Sequence, residues 1–327
     1  MIFPINVIAD SGKSTIVVDN DSGRILYKNN INEKKLIASI TKIMTCILVI
    51  ENVDIDKNVI VGDEVLKMYG TNIYVQVGEK IKIKDLLYGL MLRSGNDAAI
   101  VLANNVFESE DQFVDKMNKK AKEIGMKNTH FSNPHGLDDD NENISTAYDM
   151  SLLAMYAYRN DVYRKIISTK KYITNSDLKS YEWYNRMSLL TRYKYCTGGK
   201  NGYTPKAGKT LVSYARQGNL NLIIVSIDDN DIYENHINLY NSYFDKYSNY
   251  TIIDKNRFNI DLSLIHEEVY LKKSFRYPLL HSEVKNVSTI VQVFDKANRN
   301  VIGKVIIYLN NNKIGEEKVY LKNKKRR

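Results

Sequence analysis

The sequence predicts an α+β chain in which β-hairpins enclose a mainly helical middle and a small all-β domain follows. Three observations carry this. β-rich runs around a glycine-containing turn open the chain at Thr15–Tyr27 and recur at Thr210–Ile227. Helical apolar spacing dominates between them, and beyond Tyr250 short alternating runs replace it.

Taken in order, Thr15-Ile-Val-Val18 and Arg24-Ile-Leu-Tyr27 flank Asp19-Asn-Asp-Ser-Gly23, which reads as two antiparallel strands and their turn. From Ser39 to Ile50, apolar residues fall at Ile40, Ile43, Met44, Ile47 and Leu48, and almost every face is apolar, so this helix should be buried. Helices are expected next at Ile83–Leu92, Asp97–Phe107, Asp111–Gly125 and Thr146–Tyr158. Thr210–Arg216 and Leu220–Ile227 around Gln217-Gly-Asn219 predict a second hairpin, followed by a helix over Tyr233–Tyr247. Thr289–Val293, Val301–Tyr308 and Glu317–Leu321 predict the small β domain. The expected organisation is a leader at 1–13, a large domain at 14–249, the β domain at 250–321 and a basic tail at 322–327.

The 327 residues carry 47 basic and 38 acidic side chains, a net charge of +9, with the excess most visible in Lys322-Asn-Lys-Lys-Arg-Arg327. Such a tail reads either as a solvated end or as a peripheral contact for an anionic membrane or wall polymer; no nucleic-acid partner is expected. Cys46 and Cys196 are the two cysteines, so there is neither a disulfide framework nor metal-ligand spacing, and no cofactor is expected. No apolar run approaches the roughly 18 residues of a membrane span. Ile2–Ala9 reads as the stump of a signal peptide without its charged n-region, which suggests work outside the cytoplasm. Gly12-Lys-Ser14 is not the end of a phosphate loop, because Val7 stands where that loop needs glycine.

Three segments form a candidate site. Ser39 and Lys42 stand at i and i+3 near a helix start, one turn apart on one face. A serine hydroxyl needs a base, and a lysine serves once burial and a neighbouring cation lower its pKa. Alone, the pair is more often a helix cap followed by an exposed lysine. Ser94-Gly-Asn96 lies between two predicted helices, where glycine permits a tight turn that brings a hydroxyl and an amide forward; alone it is a loop. Lys200-Asn-Gly202 precedes a predicted strand and suits a carboxylate-bearing substrate along a sheet edge; alone it is a turn. Their joint occurrence in this order points to serine acyl transfer with lysine as base.

Ala38-Ser-Ile-Thr-Lys-Ile-Met-Thr45, Asp85–Ala99 with its Ser-Gly-Asn, Thr129-His-Phe-Ser-Asn-Pro-His-Gly-Leu137 and Gly198-Gly-Lys-Asn-Gly-Tyr-Thr-Pro-Lys-Ala-Gly208 closely resemble the low-molecular-mass penicillin-binding proteins, the serine-type D-Ala-D-Ala carboxypeptidases. The resemblance covers about Thr15 to Tyr247. It implies a penicillin-binding/β-lactamase-like domain, an antiparallel sheet with helices on both faces and a helical subdomain, followed by a small β-sandwich. It also implies a peptidase acting on the peptidoglycan stem peptide at the cell wall or the outer face of the cytoplasmic membrane, and acylated by β-lactams. Ser39 would attack the bond between the terminal D-alanines and Lys42 would take its proton. Ser94 and Asn96 would relay protons and hold the substrate, Lys200, Asn201 and Gly202 would line it, and the N–H groups of Ser39 and Tyr203 would form the oxyanion hole.

Two departures stand out. Asn201 replaces the family's usual threonine, and Asp231–Ile237 lacks the arginine that helps bind the terminal carboxylate in family members. Carboxylate affinity is therefore expected to be weakened or differently supplied. A binding protein with little turnover and a β-lactamase-like hydrolase remain the alternatives. His135 is expected to be structural and Cys46 a buried apolar thiol.

Overall fold

All six residues of β1 (Ser14–Asp19) are buried, so the strand needs a partner on each edge and cover on each face. One partner is β2 (Ile25–Asn29), antiparallel to it as the first predicted hairpin. The computed structural model describes residues 14–138, 142–260, 268–298 and 300–322 and divides into two units, Met1–Asn241 and Ser242–Arg327. The expected leader and the tail beyond Lys322 lie outside the described residues.

The first unit continues through β3 (Lys35–Leu36) and a 3-10 turn at Ala38–Thr41 into α1 (Lys42–Asn52), whose residues from Lys42 to Val49 are all buried. The short pair β4 (Asn58–Ile60) and β5 (Lys80–Lys82) leads to α2 (Ile83–Tyr88). The sequence predicts one helix to Leu92. The structure instead ends α2 at Tyr88 and passes through a wider π turn, Gly89–Arg93, into left-handed Ser94 (φ 66°). That turn reorients the chain before α3 (Asn96–Val106). Then come α4 (Glu110–Glu123), β6 (Ile144–Ser145), α5 (Ala147–Tyr158) and α6 (Asp161–Ser168). Side chains of Ser109, Thr146 and Asn160 accept from first-turn N–H groups and so fix where α4, α5 and α6 begin.

The middle is less helical than its apolar spacing suggests. Residues β7 (Lys171–Asn175) and β8 (Ser180–Tyr184) form a hairpin that the sequence reading missed. Its inward aromatics are Tyr172, Tyr181 and Trp183, and Tyr172 stacks on Tyr88 at 3.6 Å. Outward Lys171 and Glu182 dilute the β signal.

After the short α7 (Leu189–Arg192), β9 (Cys196–Thr204), β10 (Gly208–Gln217) and β11 (Leu220–Ile227) complete an antiparallel sheet of order β2-β1-β11-β10-β9. Lys200-Asn201-Gly202 lies inside the edge strand β9, not before a strand. A stretch rich in glycine reads as a turn, whereas here the close passage of neighbouring backbone requires it: a Cβ on Gly199 would lie 2.4 Å from the Val212 carbonyl. Helices cover both faces. On β10, Tyr214 points to α5, its hydroxyl donating to the Ala154 carbonyl. Its neighbour Ser213 points to α8 (Ile232–Lys246) and bonds His236 and Tyr240.

From Tyr247 on, the described residues of the second unit form strands and one 3-10 turn, His281–Asn286. β12 (Tyr247–Ile253) precedes β13 (Val269–Leu271) and pairs with β14 (Phe275–Leu280). β15 (Val287–Asn298), β16 (Val301–Leu309) and β17 (Asn312–Leu321) join β13 in a sheet of order β13-β17-β16-β15. Its core holds Ile253, Leu271, Ile302, Val305, Ile307 and Val319. The sequence places the boundary at 249/250; pairing of Tyr247 with Leu280 already assigns the residues just before it to the β unit.

Candidate active site

Ser39 and Lys42 do not share one α-helix: Ser39 is in the 3-10 turn and Lys42 opens α1. The spacing still stacks them, with Lys42 Nζ donating to Ser39 Oγ at 3.1 Å. Lys42 is fully buried and also donates to Asn96 Oδ1 at 2.7 Å and to the His135 carbonyl. Burial pushes its pKa well below the usual lysine value, the Lys200 charge pushes it the same way, and Asp97 opposes. A neutral Lys42 would spend two hydrogens on Asn96 and His135 and leave its lone pair for the Ser39 hydroxyl. Ser39 itself is partly open to solvent, as a nucleophile must be.

Asn96 begins α3, and its Nδ2 donates to the Tyr69 carbonyl at 2.8 Å, which turns its oxygen toward Lys42. Left-handed Ser94 accepts from Lys200 Nζ at 3.0 Å. Lys200 is 1% exposed and also donates to the Asn201 carbonyl at 2.6 Å. Burial lowers its pKa to about 7, helped by the Arg186 charge. The two lysines are thus linked to opposite ends of the Ser94–Asn96 turn, an arrangement able to take a proton from one hydroxyl and return it through another.

Strand β9 passes close to Ser39. A Cβ on Gly202 would lie 2.7 Å from the Ser39 nitrogen and 2.6 Å from Thr210 Oγ1. Only glycine lets this strand approach Ser39, and the N–H of the next residue, Tyr203, belongs to the same stretch. The Tyr203 side chain is 65% exposed. On the other side, a Cβ on Gly136 would lie 2.1 Å from the Ala38 carbonyl, so the Asn133–Asp138 loop presses on the Ala38–Thr41 turn. Asn133 Oδ1 shapes that loop by accepting from the N–H of Gly136 at 2.6 Å and of His135.

The structure therefore brings Ser39, Lys42, Ser94, Asn96, Lys200 and Gly202 together, with Asn201 and Tyr203 on the same strand. The His135 ring is buried and accepts from the Leu137 N–H, as expected of a loop residue, but its carbonyl holds Lys42. Cys46 is buried, and burial pushes its thiol pKa up. Sequence reasoning missed Arg186, Asp97 and the carbonyls of Tyr69 and His135. Carbonyls leave no side-chain signal. Arg186 comes from the unpredicted β7–β8 region, while Asp97 directly follows the Ser-Gly-Asn segment and was within reach of a closer reading.

A family profile described as D-alanyl-D-alanine carboxypeptidase matches residues 6–231. The D-alanyl-D-alanine carboxypeptidase DacF of Bacillus subtilis is 37% identical over 224 residues, which is 67% of this chain and 57% of that protein. Among solved structures, the D-alanyl-D-alanine carboxypeptidase DacD of Francisella tularensis superposes with a TM-score of 0.76 at 25% identity, covering 98% of this chain and 95% of that one. Penicillin binding protein 5 of Haemophilus influenzae shares the fold with a TM-score of 0.81 at 24% identity, over 99% of both chains.

Proposed function

This chain belongs to the D-alanyl-D-alanine carboxypeptidase family, and from that premise we propose that it removes the terminal D-alanine from peptidoglycan stem pentapeptides through an acyl-enzyme on Ser39. The observation that carries this reading is the buried amine of Lys42, aimed at Ser39 Oγ and lowered in pKa by its surroundings. Neutral Lys42 takes the Ser39 proton as Oγ attacks the carbonyl between the two D-alanines. The N–H groups of Ser39 and Tyr203 receive the oxyanion as the tetrahedral adduct forms. The proton passes to the leaving D-alanine nitrogen by way of Lys42 or the Ser94–Lys200 pair. Water then releases the shortened peptide. β-Lactams would acylate the same serine.

The substrate's terminal carboxylate needs a cation, and residues 228–237 offer Asp228, Asp229, Asp231 and Glu234 with no arginine. Lys200 of β9 and Arg186, whose charge acts on it, are cations near the strand that passes Ser39, with the half-buried Asn201 amide as a further donor. We assign the carboxylate to this group. The work would be done outside the cytoplasm, at the wall or the outer face of the cytoplasmic membrane, where such peptides are found. The +9 charge favours peripheral contact with anionic polymer or lipid there. Incubating the protein with stem pentapeptide tests the reading. Release of free D-alanine, abolished by Ser39→Ala, supports it; labelling of Ser39 by penicillin without peptide turnover would leave a binder, and rapid hydrolysis of the penicillin a β-lactamase.

A further inference from the structure

We propose that Asp97 is a positioning residue of this site: its carboxylate clamps the Tyr69–Val75 segment onto the Ser94–Asn96 turn and thereby fixes the Asn96 amide against Lys42. Asp97 is 2% exposed and has no ion-pair partner among the described residues. Its oxygens instead accept from backbone: the N–H of Ile73 at 3.0 Å, of Tyr74 at 2.6 Å, of Val75 at 3.3 Å and of Ala98 at 2.8 Å. Three successive amides converge on one carboxylate only because Tyr74 adopts φ 63°, a left-handed conformation unusual for a tyrosine. Such an outlier marks a segment held in place by its surroundings.

The clamped segment returns its own groups to the site. The Thr71 carbonyl accepts from the Asn96 N–H at 2.7 Å, and Asn72 Oδ1 accepts from the Asp97 N–H. The Tyr69 carbonyl accepts from Asn96 Nδ2. This last bond decides which end of the amide meets Lys42. Released from it, Asn96 is free to turn its NH2 toward an amine that needs an acceptor.

Asp97 also acts through charge. Lys42, from α1, and Tyr181, from β8, feel its field, and Lys42 is faced in addition by Lys200 from β9 and by His135 from its loop. Because Asp97 raises the Lys42 pKa, its removal lets Lys42 stay neutral to lower pH. Clamp and charge thus predict different readouts.

The inference rests on Ser39 being the acylated residue, which labelling of the unaltered protein checks by itself. The experiment compares the unaltered protein with Asp97→Asn and Asn72→Ala by rate of labelling with a fluorescent penicillin across pH and by amide hydrogen exchange. For Asp97→Asn, labelling is expected to slow by about tenfold or more, its acid limb to move to lower pH, and exchange at residues 73–75 to quicken while α1 stays protected. Asn72→Ala keeps the charge, so it should slow labelling a few-fold with the acid limb unmoved. Unchanged exchange at 73–75, an unmoved acid limb in Asp97→Asn, or unaltered labelling in Asn72→Ala would overturn the proposal. If Asp97→Asn does not fold, the Asn72→Ala result decides. Slow exchange at 73–75 in the unaltered protein supports the clamp even without any labelling, and only the reading of Ser39 then fails.

Discussion

Lys200 is 1% exposed, whereas Tyr203, three residues along the same strand, is 65% exposed. The contrast runs through the whole site. The floor, made of Lys42, Asn96, the His135 carbonyl and Lys200, is buried, and each of its polar groups has a partner. The rim, made of half-buried Asn201 and exposed Tyr203 and Arg186, is more open; among the described residues the Arg186 guanidinium donates to Thr71 Oγ1, at 3.4 Å. Burial perturbs the pKa values that the chemistry needs, so the floor tolerates few alternatives. Recognition at the rim relies on exposed charges and amides that other residues replace at modest cost. One departure from the family pattern, Asn201, falls on the rim.

Substitutions sharpen the contrast. The largest effect is expected from Lys42→Ala, which removes the proposed base and should cut penicillin labelling of Ser39 by about 10³-fold; a loss under tenfold would take the floor out of the chemistry. Gly202→Ala comes next, because the new Cβ collides with the Ser39 nitrogen and pushes β9 away. Labelling should fall by about 10²-fold, and the melting temperature should drop with it because the clash is with backbone.

Dependence on burial also gives the protein a pH signature. Burial lowers the pKa of both His135 and His236 from 6.5 to about 3. The unfolded chain therefore binds protons that the folded one refuses, and stability falls as pH drops from 6.5 toward 3. Between pH 6.5 and 5, each histidine should cost roughly 2 kcal/mol. His236→Gln should recover about that much of the loss in urea unfolding; an equal acid loss in the variant would place the sensitivity elsewhere.

At the rim, effects are smaller. Arg186→Ala should raise KM for the pentapeptide by about tenfold, close to 1.4 kcal/mol, with kcat nearly kept. Asn201→Thr should lower KM a few-fold. A kcat loss in Arg186→Ala larger than its KM change would move this residue from rim to floor.

Most of the fold was legible in the sequence. The β1–β2 and β10–β11 hairpins and α1, α3, α4, α5 and α8 follow from apolar patterning: α4 and α8 bury one face at helical spacing, whereas β1, β11, α1 and α3 are apolar runs buried nearly all round. β7 and β8 were not legible, since their aromatics alternate with charged residues over only five positions per strand. β9 was hidden by the glycines its neighbours demand. The meeting of Ser39, Lys42, Ser94, Asn96 and Lys200 was legible because their three short motifs fix both residue type and spacing.

The sequence by itself determined the family and singled out the candidate reacting side chains, since a serine, a lysine three positions on and a Ser-Gly-Asn turn are local patterns. Tertiary structure alone decided what makes them reactive. The depressed pKa of Lys42 comes from burial and from Lys200, 158 positions away in sequence. The orientation of Asn96 comes from the Tyr69 carbonyl, and the cation beside β9 comes from Arg186. Desolvation, backbone acceptors and charges brought near by folding have no signature in local sequence, because each depends on which distant segments meet.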